Sequence, residues 1–143
     1  MEIPTPKVGL VISYAYVWRQ DYVAGQREGV KDRPCVIVLA IADDGQGRQI
    51  VTVAPITHLP PSDPAGAVEV WPRTKERLGL DGERSWAILD DLNVFTWPGY
   101  DLRPVPGRPG SCVYGLLPAG FMRGLQQAFV ARFRYLRRSD RDA

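Results

Sequence analysis

The sequence predicts a mostly β protein, with five or six short antiparallel strands curled into a small barrel and one α-helix packed on it at the C-terminal end. Three observations lead to this prediction. Short apolar runs rich in β-branched and aromatic residues recur along most of the chain. Thirteen prolines and fourteen glycines among 143 residues favour many turns and few long helices. After Pro118 the apolar residues change to helical spacing.

Length and composition fit one folded domain covering residues 1–143. The hydrophobic fraction of 45% and the charged fraction of 24% are ordinary for a globular protein, so no large part needs to be disordered. Residues 1–7 contain two prolines and are predicted to form a loose lead, and residues 139–143 a loose tail.

The first strand is predicted over Val8–Trp18, where Tyr14, Tyr16 and Trp18 alternate and therefore share one face. We expect these rings to pack in the core or to shield an edge, with base stacking as the weaker alternative. The polar loop Arg19–Asp32 follows and is long for a hairpin connection, which is typical of functional loops.

A β-hairpin is predicted next, because the apolar runs Cys35–Ile41 and Ile50–Ile56 are separated by an Asp/Gly-rich turn. Arg33 precedes the first run, and Thr57 and His58 follow the second. The open ends of an antiparallel pair meet in space. The sequence therefore predicts that these three side chains converge.

Four shorter elements complete the β-rich part. We predict a strand over Val68–Trp71, a helical turn over Thr74–Gly79 capped by Thr74, a strand over Ser85–Phe95 and a last strand over Ser111–Tyr114. The final helix presents an apolar stripe that should cover the sheet; its members are Phe121, Met122, Leu125, Phe129, Phe133 and Leu136.

Composition also limits the function classes. Fifteen arginines against three lysines suit phosphate partners, although genomic base composition gives the same bias. Cys35 and Cys112 lie inside apolar runs and are predicted to be buried thiols. The chain shows neither a secretion signal nor a membrane-spanning apolar run, so we expect a cytoplasmic protein that does not bind membranes.

No motif for a phosphate loop, a zinc protease, a paired-cysteine site or a nucleophilic serine occurs, and we expect no cofactor and no metal. Asp90 and Asp91 would point to opposite faces of a strand and would not share an ion easily. The remaining polar candidates are Arg33, Thr57, His58, Glu28 and one aspartate. These are the groups that metal-free phosphodiester cleavage needs, yet composition and spacing alone favour ordinary surface roles for them.

Several segments in order resemble the MazF/PemK family of toxin endoribonucleases. They are Gly9-Leu10-Val11-Ile12, Arg33-Pro34 before Val36-Ile37-Val38, Val53-Ala54-Pro55-Ile56-Thr57, Val68-Glu69-Val70, Gly79-Leu80, Ser85 before an apolar run into Asp90, and Tyr114-Gly115-Leu116-Leu117. The resemblance extends from about Val8 to Phe133. It implies an SH3-like barrel, usually a homodimer, that cleaves single-stranded RNA without metal and is silenced by a cognate antitoxin protein.

The resemblance also implies roles for individual residues. Arg33 matches an arginine implicated in transition-state stabilisation, and Thr57 matches a threonine that helps to place the phosphate. Glu28 stands where family members carry a loop glutamate, and Asp90 matches an aspartate that acts as base in some members. This chain departs from the family at Ile88, which replaces the arginine partner of that aspartate.

His58 is a second departure, because it replaces a small polar residue and offers a possible proton carrier. The sequence thus supports the hypothesis of a type II toxin whose RNA contacts include Arg27, Lys31, Tyr16, Trp18 and Trp97. Two alternatives stay open. One is a catalytically silent RNA-binding barrel or antitoxin-binding relic, and the other is a gyrase-poison-like toxin that binds a protein through its last helix.

Overall fold

The computed structural model describes residues 1–18, 23–25, 31–42 and 45–142, with side chains described as far as residue 136. Seven strands and two α-helices occur in this part of the chain. They are β1 (Leu10–Tyr16), β2 (Lys31–Ala42), β3 (Gln49–Thr57), β4 (Ala67–Glu69), α1 (Pro72–Arg77), β5 (Trp86–Ile88), β6 (Asn93–Thr96), β7 (Val113–Leu116) and α2 (Ala119–Asp142).

The strands form one antiparallel sheet in the order β4-β5-β3-β2-β1-β7, and β6 also pairs with β3. The sheet curls into a half-barrel, and α2 follows it at the C-terminal end. This architecture confirms the predicted fold class.

The register between β2 and β3 determines what meets at the open end of their hairpin. Cys35 pairs with Pro55, and the same register continues inward until a bulge between Ile37 and Leu39. Arg33 and Thr57 each lie two residues beyond this pair, at the same open end of the hairpin. Their strands are held there by further pairs, Arg33 with Tyr14 of β1 and Thr57 with Trp86 of β5.

Both faces of the sheet are buried, because neighbouring residues on a strand alternate between two core clusters. Val36 and Ala54 belong to the cluster that includes Phe121 and Leu125 of α2. Their neighbours in β2 and β3 belong to a second cluster with Trp97 and Leu102. The connection between β6 and β7 thus covers the second face, which explains why the central strands are continuously apolar.

Two short strands differ from the prediction in their bounds: β4 covers Ala67–Glu69 rather than Val68–Trp71, and β7 covers Val113–Leu116 rather than Ser111–Tyr114.

Two other elements differ in where they begin or whether they are continuous. The short helix begins at Pro72 rather than Thr74, because proline suits a first helical turn, and Trp71 occupies the N-cap position without a capping hydrogen bond from its side chain. The strand predicted over Ser85–Phe95 is divided into β5 and β6 by a bend that contains Asp90 and Asp91. Aspartate favours bends because its side chain competes for backbone hydrogen bonds.

The apolar stripe of α2 is buried only in its first half. Phe121, Met122 and Leu125 lie in the core, whereas Phe133 and Leu136 are 53% and 40% exposed. The predicted stripe therefore continues beyond the sheet that it covers.

No helix in the described ranges is both long enough and apolar enough to span a membrane.

Cys35 and Cys112 are buried free thiols, as predicted, and burial raises the pKa of Cys35.

Leu125→Ala tests the contact between α2 and the sheet. Leu125 is fully buried, so its truncation should lower the free energy of unfolding by about 2–5 kcal/mol. Val130→Ala is the matched control on the exposed side of the same helix and should change stability by no more than about 0.5 kcal/mol. Urea unfolding followed by circular dichroism measures both, and equal effects would contradict the assignment of the buried face.

Candidate functional site

A depression of about 650 Å³ lies at the open end of the β2–β3 hairpin. Lys31, Arg33, Thr57 and His58 all line it, so four residues predicted from the sequence share one site. The opposite walls come from α1 with the loop that follows it and from the turn around Val105–Arg108.

Arg33 enters this site from β2, where it pairs with Tyr14 of β1. Its guanidinium carbon lies 5.2 Å from the centroid of the Trp18 ring. A cation above an indole face is attracted by the electron-rich ring. Trp18 therefore supports the Arg33 side chain, although the two residues are 15 positions apart.

Thr57 ends β3 and is buried, with 6% of its surface exposed. Its Oγ1 accepts a hydrogen bond of 3.2 Å from the backbone N–H of Leu59. Since that bond uses a lone pair of the oxygen, the hydroxyl proton is still available for donation. The turn therefore fixes a hydrogen-bond donor at the edge of the depression.

His58 lies between two carboxylates. Its Nε2 is 2.7 Å from Oδ2 of Asp81, and its Nδ1 is 3.3 Å from Oε2 of Glu83. A neutral imidazole has only one N–H, whereas a protonated one has two. Each ring nitrogen therefore faces one carboxylate acceptor, and both contacts are hydrogen bonds only when the ring is protonated.

Lys75 is a buried charged residue beneath this cluster, with 5% of its side chain exposed. Its Nζ donates to Oδ1 of Asp81 at 2.6 Å, to Oγ of Ser85 at 2.7 Å and to the backbone carbonyl of Glu83. The hydrogen bond from Lys75 lowers the pKa of Asp81, which keeps that carboxyl charged. Three donors meet three acceptors, so the buried ammonium is satisfied.

The same cluster contains the atoms most suited to a metal ion among the described residues. One ligand atom from each of His58, Asp81 and Glu83 lies within 4.8 Å of the others. The closest contacts of His58 with the two carboxylates are made through different ring nitrogens, and Lys75 already donates to Oδ1 of Asp81. The cluster is therefore held together by contacts within the protein.

The lining of the depression is basic on balance. Five cationic side chains (Lys31, Arg33, Lys75, Arg77 and Arg108) face three carboxylates (Asp32, Glu76 and Asp81). Tyr114 lines the wall next to these groups. Burial raises the pKa of its hydroxyl, which therefore stays protonated at neutral pH and can donate a hydrogen bond.

Sequence reasoning missed Lys75, Asp81, Arg108 and Tyr114 as site residues. The charged run around Lys75 has the composition of a solvated helix, and nothing in its spacing indicates burial. Arg108 lies in a connection rich in proline and glycine, where position is set by tertiary contacts. The only available signal was the resemblance segment beginning at Tyr114.

Asp90 lies elsewhere, in a second depression of about 580 Å³. Its two carboxylate oxygens accept hydrogen bonds of 2.7 Å from Nε and Nη2 of Arg132. Arg132 also lies 3.0 Å from Asp63, and these contacts raise the pKa of the guanidinium. The carboxylate packs so close to Gly66 that this position has no room for a side chain. Asp90 thus anchors α2, which does not fit the predicted role of base.

Two of the predicted stacking residues are core residues. Tyr16 is 1% exposed, and its hydroxyl donates to the carbonyl and Oδ1 of Asp91. Trp97 is 8% exposed, and its Nε1 donates to the carbonyl of Pro4. Such burial does not fit base stacking, because neither ring offers an open face. Trp18 is only partly buried and lies beside Arg33.

Arg27, which was predicted to contact RNA, and Glu28, which was predicted to take part in catalysis, lie outside the described residues.

Comparison of the chain with protein-family models, curated proteins and solved structures finds no match.

Asp90→Asn and Arg132→Met test the anchoring role of this ion pair. Each substitution should lower the urea midpoint, because it leaves the partner's charge without its bidentate hydrogen bonds. The loss of stability in the double variant should be clearly smaller than the sum of the losses in the single variants, since each substitution removes the same Asp90–Arg132 ion pair. Additive losses, or an unchanged midpoint, would show that the pair does not hold α2.

Proposed function

We propose that this protein is an endoribonuclease toxin of a type II toxin–antitoxin pair that cleaves single-stranded RNA without a metal ion. The observation that carries the proposal is the convergence of Arg33, Thr57, Lys31 and His58 in one basic depression. A cation, a hydroxyl donor and an imidazole are what phosphodiester cleavage by an internal nucleophile requires.

In the proposed reaction the RNA 2′-oxygen forms a bond to the adjacent phosphorus, and the bond from phosphorus to the 5′-oxygen breaks. The proton of the 2′-hydroxyl passes to a base, and an acid supplies a proton to the leaving 5′-oxygen. The products are a 2′,3′-cyclic phosphate and a 5′-hydroxyl. The remaining task of the protein is to offset the charge that builds up on the phosphate oxygens.

Arg33 suits that last task, because its guanidinium stays charged and presents several donors in a planar fork. Support from Trp18 orients the fork before substrate arrives, so less rearrangement is needed during the reaction. The Thr57 hydroxyl donates a second hydrogen bond to the phosphate. Lys31 and Arg108 extend the positive lining along the path of the RNA backbone.

Glu28, Asp90 and His58 are the candidate proton carriers. His58 is favoured, because it lines the depression, whereas Asp90 is engaged by Arg132 in the second one. An imidazole exchanges protons readily near neutral pH. Glu28 remains a candidate for the base on the resemblance alone.

The proposed partners are single-stranded RNA, a cognate antitoxin protein and a second copy of the chain. Exposed apolar side chains on α2 support a protein contact, since Val130, Phe133 and Tyr135 are all 45% exposed or more. The same surface favours the alternative of a toxin that binds a protein target through this helix. That alternative needs no role for Arg33.

Arg33→Ala separates the two functions. Under the endoribonuclease proposal, expression of the wild type arrests growth with cleaved RNA, and Arg33→Ala lowers the cleavage rate on the order of 10²–10³-fold. Arg123→Ala is the control, because Arg123 is an exposed arginine of α2 that does not line the depression. Growth, RNA integrity and purified-protein kinetics are the measurements.

Growth arrest with intact RNA would overturn the nuclease proposal in favour of a protein target. Arrest and cleavage that survive Arg33→Ala would overturn the assigned site. Cleavage by the purified wild type should persist in excess EDTA and leave a 2′,3′-cyclic phosphate terminus, which mass spectrometry of the fragments identifies.

Thr57→Val tests the hydroxyl donor with little change in side-chain shape. Loss of one hydrogen bond to the phosphate should reduce kcat on the order of 10²-fold. Thr52→Val is the control, because Thr52 is buried on the same strand but does not line the depression. Equal rates for the two variants would remove Thr57 from the proposed mechanism.

A further inference from the structure

Lys75 presents an unusual combination, a charged side chain that is almost fully buried in the wall of the proposed active site. Burying an ammonium group is costly unless every donor is satisfied. All three acceptors of Lys75 belong to one short loop, through Asp81, the carbonyl of Glu83 and Ser85. One lysine of α1 therefore fixes the loop over residues 81–85.

That loop supplies both partners of His58. Asp81 Oδ2 contacts Nε2 of the imidazole, while Oδ1 of the same carboxylate accepts from Lys75. Glu83 contacts Nδ1 through its side chain, while its backbone carbonyl accepts from Lys75. The ammonium of Lys75 is thus linked to each ring nitrogen of His58 through a single residue, Asp81 for Nε2 and Glu83 for Nδ1.

Replacing Lys75 alone by an apolar side chain removes one partner of a buried ionic cluster, which is destabilising whatever else the lysine does. A loss of stability therefore does not identify its role, and the contacts that its acceptors make with His58 are more informative. What an apolar residue would not do is hold Asp81 and Glu83 next to the imidazole. The chemistry therefore points to a role in arranging His58.

We propose that Lys75 is a positioning residue that, through Asp81, holds His58 as the acid which protonates the leaving 5′-oxygen. This inference rests on the proposed endoribonuclease function and assigns one of its proton-transfer steps. The hydrogen bond from Lys75 holds Asp81 at Nε2 of the imidazole. Glu83 lies at the longer distance of 3.3 Å from Nδ1 and has 73% of its side chain exposed, so the substrate displaces it from that nitrogen.

The proton balance of the step is closed. The imidazolium N–H that faced Glu83 passes its proton to the 5′-oxygen as the bond from phosphorus to that oxygen breaks. The neutral imidazole that results keeps one N–H, which still donates to Asp81. Solvent restores the lost proton through the exposed edge of the ring, since half of the His58 side chain is accessible.

Leaving-group substitution tests this acid role directly. The substrate is a short oligonucleotide with one ribonucleotide, prepared either with the natural 5′-oxygen or with a 5′-bridging sulfur at the scissile bond. A thiolate leaves without protonation, so the sulfur substrate does not need the acid. We expect Lys75→Met, Asp81→Asn and His58→Ala to lower kcat for the oxygen substrate on the order of 10²-fold. With the sulfur substrate their kcat should approach that of the wild type.

Asp63→Asn is the matched control, because Asp63 is also a half-exposed carboxylate paired with a cation, Arg132, but lies outside the depression. Its kcat should match the wild type for both substrates. KM should change little in Lys75→Met, because the Lys75 side chain is only 5% exposed and its three donors are used by Asp81, Glu83 and Ser85. Equal losses with both substrates, or no loss with either, would overturn the positioning role.

Two further readouts keep the outcomes separate. Asp81 is half exposed, so Asp81→Asn should fold even where Lys75→Met does not. His58 is the only histidine in the sequence, so its Cε1–H resonance in proton NMR reports this ring alone. We expect Lys75→Met to shift that resonance towards its position in Asp81→Asn, and an unchanged resonance would overturn the proposal. A wild type that cleaves neither substrate would instead overturn the proposed function.

Discussion

The pairing of β3 with its neighbours is the constraint on which the rest of the structure depends. One edge of β3 pairs with β2 along most of its length, and the other edge is shared by β6 and β5. A slip by one residue would turn every side chain of β3 to the opposite face. Because both faces are buried, such a slip would disrupt two cores and separate Thr57 from Arg33.

The candidate site is built where this rigid sheet meets less regular segments. β2 and β3 provide Arg33 and Thr57, which are held by strand pairing. The loop after α1 provides the partners of His58, and Lys75 holds that loop to the helix. Backbone pairing thus fixes the proposed phosphate-binding groups, whereas an electrostatic network fixes the candidate proton carrier.

Two ionic clusters, formed by residues that precede and follow β5, have different consequences. After β5, Asp90 and Arg132 satisfy each other through a bidentate pair, which ties α2 to the bend between β5 and β6. Before β5, Asp81 accepts from Lys75 through one oxygen and contacts the imidazole through the other. In the first cluster the two charged side chains neutralise each other. In the second cluster the contacts lead from Lys75 through Asp81 to His58, which lines the basic depression.

The sequence by itself determined the strands, the final helix and the meeting of Arg33 with Thr57 and His58, because alternation, turn chemistry and hairpin pairing are local rules. Tertiary structure alone decided that Lys75 is buried, that Asp90 is paired with Arg132, and that Tyr16 and Trp97 lie in the core. Such outcomes depend on which distant segments cover each face of the sheet. The burial of these side chains and the identity of their charged partners are properties of the assembled fold, and no local pattern in the chain encodes them.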